Sequence, residues 1–135
     1  MTRFQTSPML RNLLILDAAT CLAAGALMAV AGGYLASLLA LPEPLLRYAG
    51  VFLIVFGGAV GLLARRARIP RAAVAAVIVC NALWAIESVA IIAAGWVTPN
   101  AFGVAFVLAQ AVWVAALAAL QYGCLRRQSV AASAS

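Results

Sequence analysis

The sequence contains no histidine and no lysine, and only three of its 135 residues are acidic. Without histidine, bis-histidine haem ligation and most zinc sites are excluded. Without lysine, the chain offers neither a Schiff base for retinal or pyridoxal phosphate nor the lysine of a P-loop. It also lacks a recognisable nucleophile–base pair, metal-binding cluster or phosphate-cradling glycine loop. We therefore expect no enzymatic activity, no cofactor and no metal.

Apolar sequence is what the chain has in excess. Hydrophobic residues make up 67% and charged residues 9%, whereas a soluble domain is roughly half apolar and a quarter charged. A membrane-spanning helix needs about 20 apolar residues. Four stretches meet this length: 12–41, 45–64, 72–95 and 101–124. We predict an all-α integral membrane four-helix bundle, with one transmembrane domain over residues 1–127 and a flexible cytoplasmic tail over residues 128–135.

Short turns and the distribution of arginine predict the topology. Proline-containing turns separate the four stretches, and such short connections make neighbouring helices antiparallel, in up-down-up-down order. Eight arginines then fall on one side of the membrane, and only Arg47 falls on the other. The eight are Arg3, Arg11, Arg65, Arg66, Arg68, Arg71, Arg126 and Arg127. By the positive-inside rule, both termini lie in the cytoplasm of a bacterial inner (plasma) membrane.

Neither the positive charge nor the cysteines indicate a further chemistry. The arginines are what the topology requires, and nucleic-acid binding would need a folded basic surface or a motif that is missing here. Cys21, Cys80 and Cys124 form no CxxC pair and lie in the cytoplasmic halves of the predicted spans, away from an oxidising compartment. We expect the cysteines to be small packing residues, and we expect no nucleic-acid partner.

Small residues recur at helical spacing in the first two spans. Gly50, Gly57 and Gly61 share one face of the second span, and Gly25 and Gly33 mark a similar face of the first. Such stripes let helix backbones approach closely in lipid. They indicate either packing within the bundle, which we favour, or a homodimer interface.

Two acidic residues have expected arginine partners. Reflecting the second span about the turn before it brings Asp17 to the level of Arg66 and Arg68, near the cytoplasmic surface. We expect an ion pair there in preference to a proton-carrying role for Asp17. At the opposite surface, Glu43 and Arg47 have the i,i+4 spacing of a helical ion pair.

The deepest acid is Glu87, about 24 Å along its helix from Arg71 at ~1.5 Å per residue. A carboxylate at this depth costs on the order of 3 kcal/mol unless it is neutral or paired. Reflection about the last turn maps residue 87 onto 110 and residue 84 onto 113. Gln110, taken as the one strongly polar residue of the fourth span, is therefore the expected partner of Glu87, and Trp84 should face Trp113.

Five residues form the candidate ligand-binding site on these two helices: Asn81, Trp84, Glu87, Gln110 and Trp113. Their spacings of three place them along one broad face of each helix. Two interpretations stay open. In one, protonated Glu87 hydrogen-bonds Gln110 and fixes the register of the hairpin. In the other, a small cavity open to the outer surface exchanges a proton or binds a cation at Glu87, and the indoles stack on an aromatic or cationic ligand.

Three segments and the arginine-rich central loop carry a resemblance to known proteins. The segments are Asn-Ala-Leu-Trp at 81–84, Gly-Trp-Val-Thr-Pro at 95–99 and Phe-Val-Leu-Ala-Gln-Ala at 106–111. Over nearly its whole length the chain resembles an uncharacterised family of small four-span bacterial inner-membrane proteins, and this resemblance implies no activity. In size and in its membrane carboxylate the chain is also similar to the small multidrug-resistance transporters, which are four-helix dimers. Their essential glutamate lies in the first helix, whereas Glu87 lies in the third.

Two functions follow as hypotheses. The first is a non-enzymatic membrane protein that is an accessory or structural subunit, or that binds a hydrophobic ligand or lipid between its helices. The second is a proton-coupled small transporter of cationic or aromatic compounds that works as a dimer through Glu87. The expected partners are the lipid bilayer, a hydrophobic small molecule or lipid, and a second copy or a larger membrane complex.

Overall fold

The computed structural model describes residues 8–134, with side chains up to residue 127. Its five helices are α1 (Pro8–Val30), α2 (Gly32–Leu39), α3 (Glu43–Ala64), α4 (Arg71–Ala93) and α5 (Ala101–Ala134). Four segments are long and apolar enough to cross a membrane, namely α1, α3, α4 and the Ala101–Arg127 part of α5. The structure therefore agrees with an all-α protein that has four membrane-capable helices. Arg3, used above for orientation, lies outside the described residues.

The single helix predicted over residues 12–41 is interrupted at Ala31, which separates α1 from α2. Ala31 has φ −99° and ψ 23°, outside helical geometry. Two glycines, Gly32 and Gly33, follow the break and lower the local helix propensity by about 1 kcal/mol each. Across the break, Arg47 Nη1 donates a hydrogen bond of 2.8 Å to the Ala29 carbonyl oxygen. A guanidinium from α3 thus satisfies a carbonyl at the end of α1.

Glycine contacts bring α1 and α3 close together. A Cβ atom at Gly25 would lie 2.7 Å from the Gly50 carbonyl oxygen, and one at Gly50 would lie 2.8 Å from that of Gly25. Further along the pair, a Cβ at Gly57 would lie 2.9 Å from the Cβ of Cys21. No side chain fits at these distances, so glycine is required for this packing. Three of the glycines predicted for close helix approach, Gly25, Gly50 and Gly57, are therefore used inside this helix pair.

The start of α1 also closes the end of α3. The Arg11 guanidinium donates hydrogen bonds to the carbonyl oxygens of Ala64 and Arg66, the latter at 2.8 Å. These carbonyls lie at the C-terminal end of α3, where the helix leaves its last acceptors unsatisfied. A cation also interacts favourably with the negative end of the helix dipole. The predicted i,i+4 ion pair is confirmed at the other end of α3, where Arg47 Nε lies 2.9 Å from Glu43 Oε1.

The second closely packed pair consists of α4 and α5, and α5 also contacts α1 and α2. Asn100 joins the two pairs at one end. Its Nδ2 donates to the Leu38 carbonyl oxygen at 2.8 Å, and its Oδ1 accepts a 2.8 Å bond from the Gly103 amide, which caps α5. A Cβ at Gly103 would overlap the Leu39 carbonyl oxygen. Asparagine and glycine are therefore needed where α5 begins against the end of α2.

Candidate functional site

A cavity of about 370 Å³ lies between α3, α4 and the first turns of α5. It is partly open to the surface of the molecule and its lining is predominantly apolar. Its principal lining residues on α3 are Tyr48, Ala49 and Phe52, and those on α4 are Trp84, Glu87, Ser88 and Ile91, with Phe106, Val107 and Gln110 on α5. Apolar cavities of this size with a few polar groups are typical of small-molecule sites.

Two stacked aromatic rings form one wall of the cavity. The rings of Phe52 and Trp84 have centroids 5.4 Å apart and an interplanar angle of 3°. Phe52 also stacks on Phe56, at 6.0 Å and 7°. Trp84, predicted to lie opposite Trp113, stacks on Phe52 of α3, and both tryptophans line a second cavity beside α1. The Trp113 Nε1 instead donates to Thr20 Oγ1 of α1 at 3.2 Å.

The polar side of the cavity has incomplete hydrogen bonding. Glu87 is exposed, and its carboxyl has no hydrogen-bond or ion-pair partner among the described residues. Gln110 Nε2 lies 3.5 Å from Ser88 Oγ, at the long limit of a hydrogen bond. The Ser88 hydroxyl donates to the Trp84 carbonyl oxygen at 2.7 Å. Gln110 Oε1 and Trp84 Nε1 are buried without a partner.

The predicted hydrogen bond between Glu87 and Gln110 is therefore wrong. Consecutive residues of an α-helix differ in direction by about 100°. Ser88, which is 8% exposed, faces α5, and the next residue back, Glu87, consequently turns to the exposed side of the cavity. Reflection about the turn gave the correct depth for these residues but not their rotation about the helix axis.

A second group of polar side chains is buried deeper in the bundle. Asp17, Asn81 and Gln121 come from α1, α4 and α5, and none is more than 2% exposed. Asn81 Nδ2 and Gln121 Nε2 donate to the same Asp17 oxygen, Oδ2, at 2.7 and 3.0 Å. Asn81 Nδ2 also approaches Gln121 Oε1 at 3.3 Å. The thiol of Cys21 lies 3.4 Å from Asp17 Oδ1. We call these four residues the polar cluster.

The predicted ion pair of Asp17 with Arg66 and Arg68 is wrong, because Asp17 is fully buried and bonded to two amides. Since α1 begins at Pro8, Asp17 lies about 14 Å along the helix from its first residue, at ~1.5 Å per residue. Gln121 also contradicts the view that Gln110 is the one strongly polar residue of the fourth span. The signal was present, since Gln121 is a carboxamide within a long apolar stretch.

The five predicted ligand-binding residues divide between three places. Trp84, Glu87 and Gln110 meet at the cavity between α3 and α4. Asn81 belongs to the polar cluster. Trp113 lines a separate cavity of about 390 Å³ beside α1, whose wall also includes Trp84 and Gln110. The site thus contains three of the five, and it also contains Phe52, which the sequence did not indicate.

The cysteines and acids of the described residues form neither a disulfide nor a metal site. Cys21 and Cys124 are buried, Cys80 is exposed, and all three are free thiols. Within residues 8–134, no group of three or more histidine, cysteine, aspartate or glutamate side chains is arranged to hold a metal ion.

Comparisons of the chain with models of protein families, with curated proteins and with solved structures each find no significant match. The features of the chain that bear on its function are therefore the cavity, the polar cluster and the four membrane-capable helices. These helices are consistent with a small multi-pass membrane protein in contact with lipid.

Proposed function

We propose that this chain is a non-enzymatic protein of the bacterial inner membrane that binds a hydrophobic ligand or lipid between its helices. It would act alone, as a homodimer, or as an accessory subunit of a larger membrane complex. The observation that carries the proposal is the cavity of about 370 Å³ between α3 and α4. Its volume falls in the range of small-molecule sites, and its lining combines apolar walls with a few polar groups.

We propose an antiparallel, up-down-up-down arrangement with both termini in the cytoplasm. Contacts along the first pair support the antiparallel order, because Arg11 meets Ala64 at one end while Gly25 meets Gly50 further along. The excess of arginine at one end of the helices supports the orientation.

The lining favours a ligand with a flat or flexible apolar body and one polar group. The apolar body would lie against the stacked rings of Phe52 and Trp84. The polar group would lie beside Glu87 and Gln110, whose side chains have unused hydrogen-bonding capacity. Because the cavity is bounded by membrane-capable helices, a lipid-soluble ligand would enter it sideways, between α3 and α4.

Filling the cavity tests the proposal. Ala49 lines the cavity, and Ala49→Phe would place a ring in the space that a ligand needs. Ala59, on the same helix, is exposed and lines none of the cavities described here, so Ala59→Phe is the matched control. We expect native mass spectrometry of protein purified in mild detergent to show a bound lipid or apolar molecule in the wild type and in A59F, but not in A49F. Wild-type protein that carries no bound molecule, or equal retention in both variants, would refute the proposal.

A proton-coupled transporter is the second candidate, and the unpaired Glu87 in the cavity is the observation that favours it. An ionisable side chain at membrane depth is a functional candidate by default. We expect Glu87→Gln to abolish pH-driven uptake of a cationic aromatic dye into vesicles, whereas Glu43→Gln, at a surface ion pair, should leave uptake unchanged. Equal uptake by wild type and E87Q would exclude the transporter. The ligand-binding proposal would not be affected by that result.

A further inference from the structure

Six exposed arginines lie at one end of the helices, and we call them the arginine surface. They are Arg65, Arg66, Arg68, Arg71, Arg126 and Arg127. The first three belong to the connection between α3 and α4, Arg71 begins α4, and the last two lie on α5. None of the six guanidinium groups has an ion-pair or hydrogen-bond partner among the described residues. Within the part of the chain that the structure describes, no group therefore takes up their capacity to bind anions.

A common apolar cluster holds these segments together. Ile69, in the middle of the connection, is 1% exposed and packs in one cluster with Leu10, Val74 and Leu125. These residues come from α1, α4 and α5, so the connection is anchored onto the end of the bundle. Arg11 reinforces this by bonding to the carbonyl oxygens of residues 64 and 66. The arginines consequently project from a fixed base.

No acid among the described residues neutralises this end of the molecule. Asp17 is enclosed in the polar cluster, Glu43 pairs with Arg47 at the opposite end, and Glu87 lines the cavity. The arginine surface is thus a concentrated positive charge. The arginine surface lies at the ends of the membrane-capable segments, because two of these segments end at Ala64 and Arg127 and a third begins at Arg71. The depth of these residues in a bilayer is therefore the depth of the lipid headgroups.

We propose that the arginine surface binds the phosphate groups of anionic phospholipids and selects them over zwitterionic ones. Arginine presents a planar set of donors that matches two phosphate oxygens, and this geometry makes it an effective phosphate ligand. Basic side chains next to transmembrane helices are also attracted by the negative surface potential of an anionic leaflet. This proposal uses none of the cavity residues, so it stands or falls independently of the proposed function.

The test is a comparison of lipid affinities by native mass spectrometry. Detergent-purified protein is titrated with dioctanoyl phosphatidylglycerol, dioctanoyl phosphatidylcholine and inorganic phosphate at matched ionic strength. We expect the wild type to bind phosphatidylglycerol at least about tenfold more tightly than phosphatidylcholine. Each basic residue near a charged membrane surface strengthens binding by about fivefold. The triple variant R65Q/R66Q/R68Q should therefore lose roughly a hundredfold in phosphatidylglycerol affinity, while R65K/R66K/R68K should stay within about fivefold of the wild type.

Three results would overturn the proposal. The first is equal affinity for the two lipids. The second is inorganic phosphate binding as tightly as phosphatidylglycerol, which would identify a site for a free anion. The third is undiminished binding in R65Q/R66Q/R68Q. If the triple variant does not fold, R126Q/R127Q removes charge from α5 without touching the connection, and it should reduce phosphatidylglycerol affinity by about 25-fold on the same basis.

Discussion

Replacing Asp17 with alanine tests the polar cluster most directly. The substitution removes the oxygen that accepts hydrogen bonds from Asn81 and Gln121 at 2.7 and 3.0 Å. A buried donor left without a partner costs about 1–3 kcal/mol. Asn81 Nδ2 retains a second acceptor in Gln121 Oε1 at 3.3 Å, so one amide remains satisfied. With the loss of the bonds and the void left by the carboxyl group, we expect D17A to lower the free energy of unfolding by about 2–4 kcal/mol.

The conservative variant Asp17→Asn separates hydrogen bonding from charge. Its side-chain oxygen can take the place of Oδ2 and still accept both amides, and its own amide group then faces the Cys21 sulfur. We expect D17N to lower stability by less than about 1 kcal/mol, because it keeps the acceptor shared by two helices. A much larger loss in D17N would show that the carboxylate charge, and not its acceptor geometry, stabilises the cluster.

A double-mutant cycle identifies the partner. Hydrogen bonds between membrane helices have coupling energies that average about 0.6 kcal/mol and reach about 1.7 kcal/mol. The Asp17–Asn81 bond is short and buried, so the cycle of D17A with N81A should give a coupling near the upper value. The cycle of D17A with R66A should give none. Reversible unfolding in mixed micelles, followed by circular dichroism, supplies the free energies. Coupling of Asp17 to Arg66, with none to Asn81, would refute the structure of the cluster.

Four further substitutions test the helix contacts, with thermal unfolding as the measurement in each case. Asn100→Ala should destabilise by about 1–2 kcal/mol, because it removes the cap of α5 at Gly103 and the bond to α2; unchanged stability would contradict this. Gly103→Ala should be more harmful, since its Cβ would overlap the Leu39 carbonyl oxygen, and normal folding would show that the two helices lie farther apart. Gly50→Ala should destabilise because its Cβ would press on the backbone of α1, whereas Gly58→Ala, with open space around it, should stabilise by up to about 1 kcal/mol; the reverse order would place the helix contact on another face of α3.

The positions of the helices follow closely from the sequence, because prolines mark where the connections end. Pro42 and Pro70 are the N-caps of α3 and α4, and α5 begins two residues after Pro99. The interruption at Ala31 has a local signal in Gly32 and Gly33, which lower the helix propensity of an otherwise apolar stretch. At the break, Arg47 also reaches back from α3 and donates a hydrogen bond to the Ala29 carbonyl oxygen of α1. This contact joins residues 18 positions apart, so the local sequence could not reveal it.

The cavity was predictable in depth but not in detail. Reflecting one helix on its neighbour assigns heights, and this was enough to bring Trp84, Glu87 and Gln110 to one site. It does not assign the rotation of each helix about its axis. Reflection therefore predicts Glu87 as the partner of Gln110, whereas Ser88 is the residue that faces α5. It also treats one hairpin at a time, and therefore could not reveal that Phe52, from the preceding helix, completes the aromatic wall.

The polar cluster could not be predicted by reflection either, because it joins helices that are not neighbours in the sequence. Asp17 bonds to Asn81 and Gln121, which are 64 and 104 residues away, and α1 is consecutive with neither α4 nor α5. Reflection about the last turn also pairs residue 81 with 116, which is about 1.4 helical turns short of Gln121. Polar residues in apolar helices indicate that partners exist. Only the packing of the helices shows which partners they are.

The distribution of hydrogen bonds between helices indicates where a ligand would enter. The polar cluster joins α1 to α4 and α5, so separating these helices would leave buried amides unpaired. Among the described residues, no hydrogen bond joins α3 to α4, and these helices meet across the cavity through the stacked rings of Phe52 and Trp84. In a membrane, an apolar lipid tail can take the place of such an apolar side-chain contact without exposing a polar group. Separating α3 from α4 at the cavity would therefore break no hydrogen bond among the described residues, which supports the proposed entry of a ligand between these two helices.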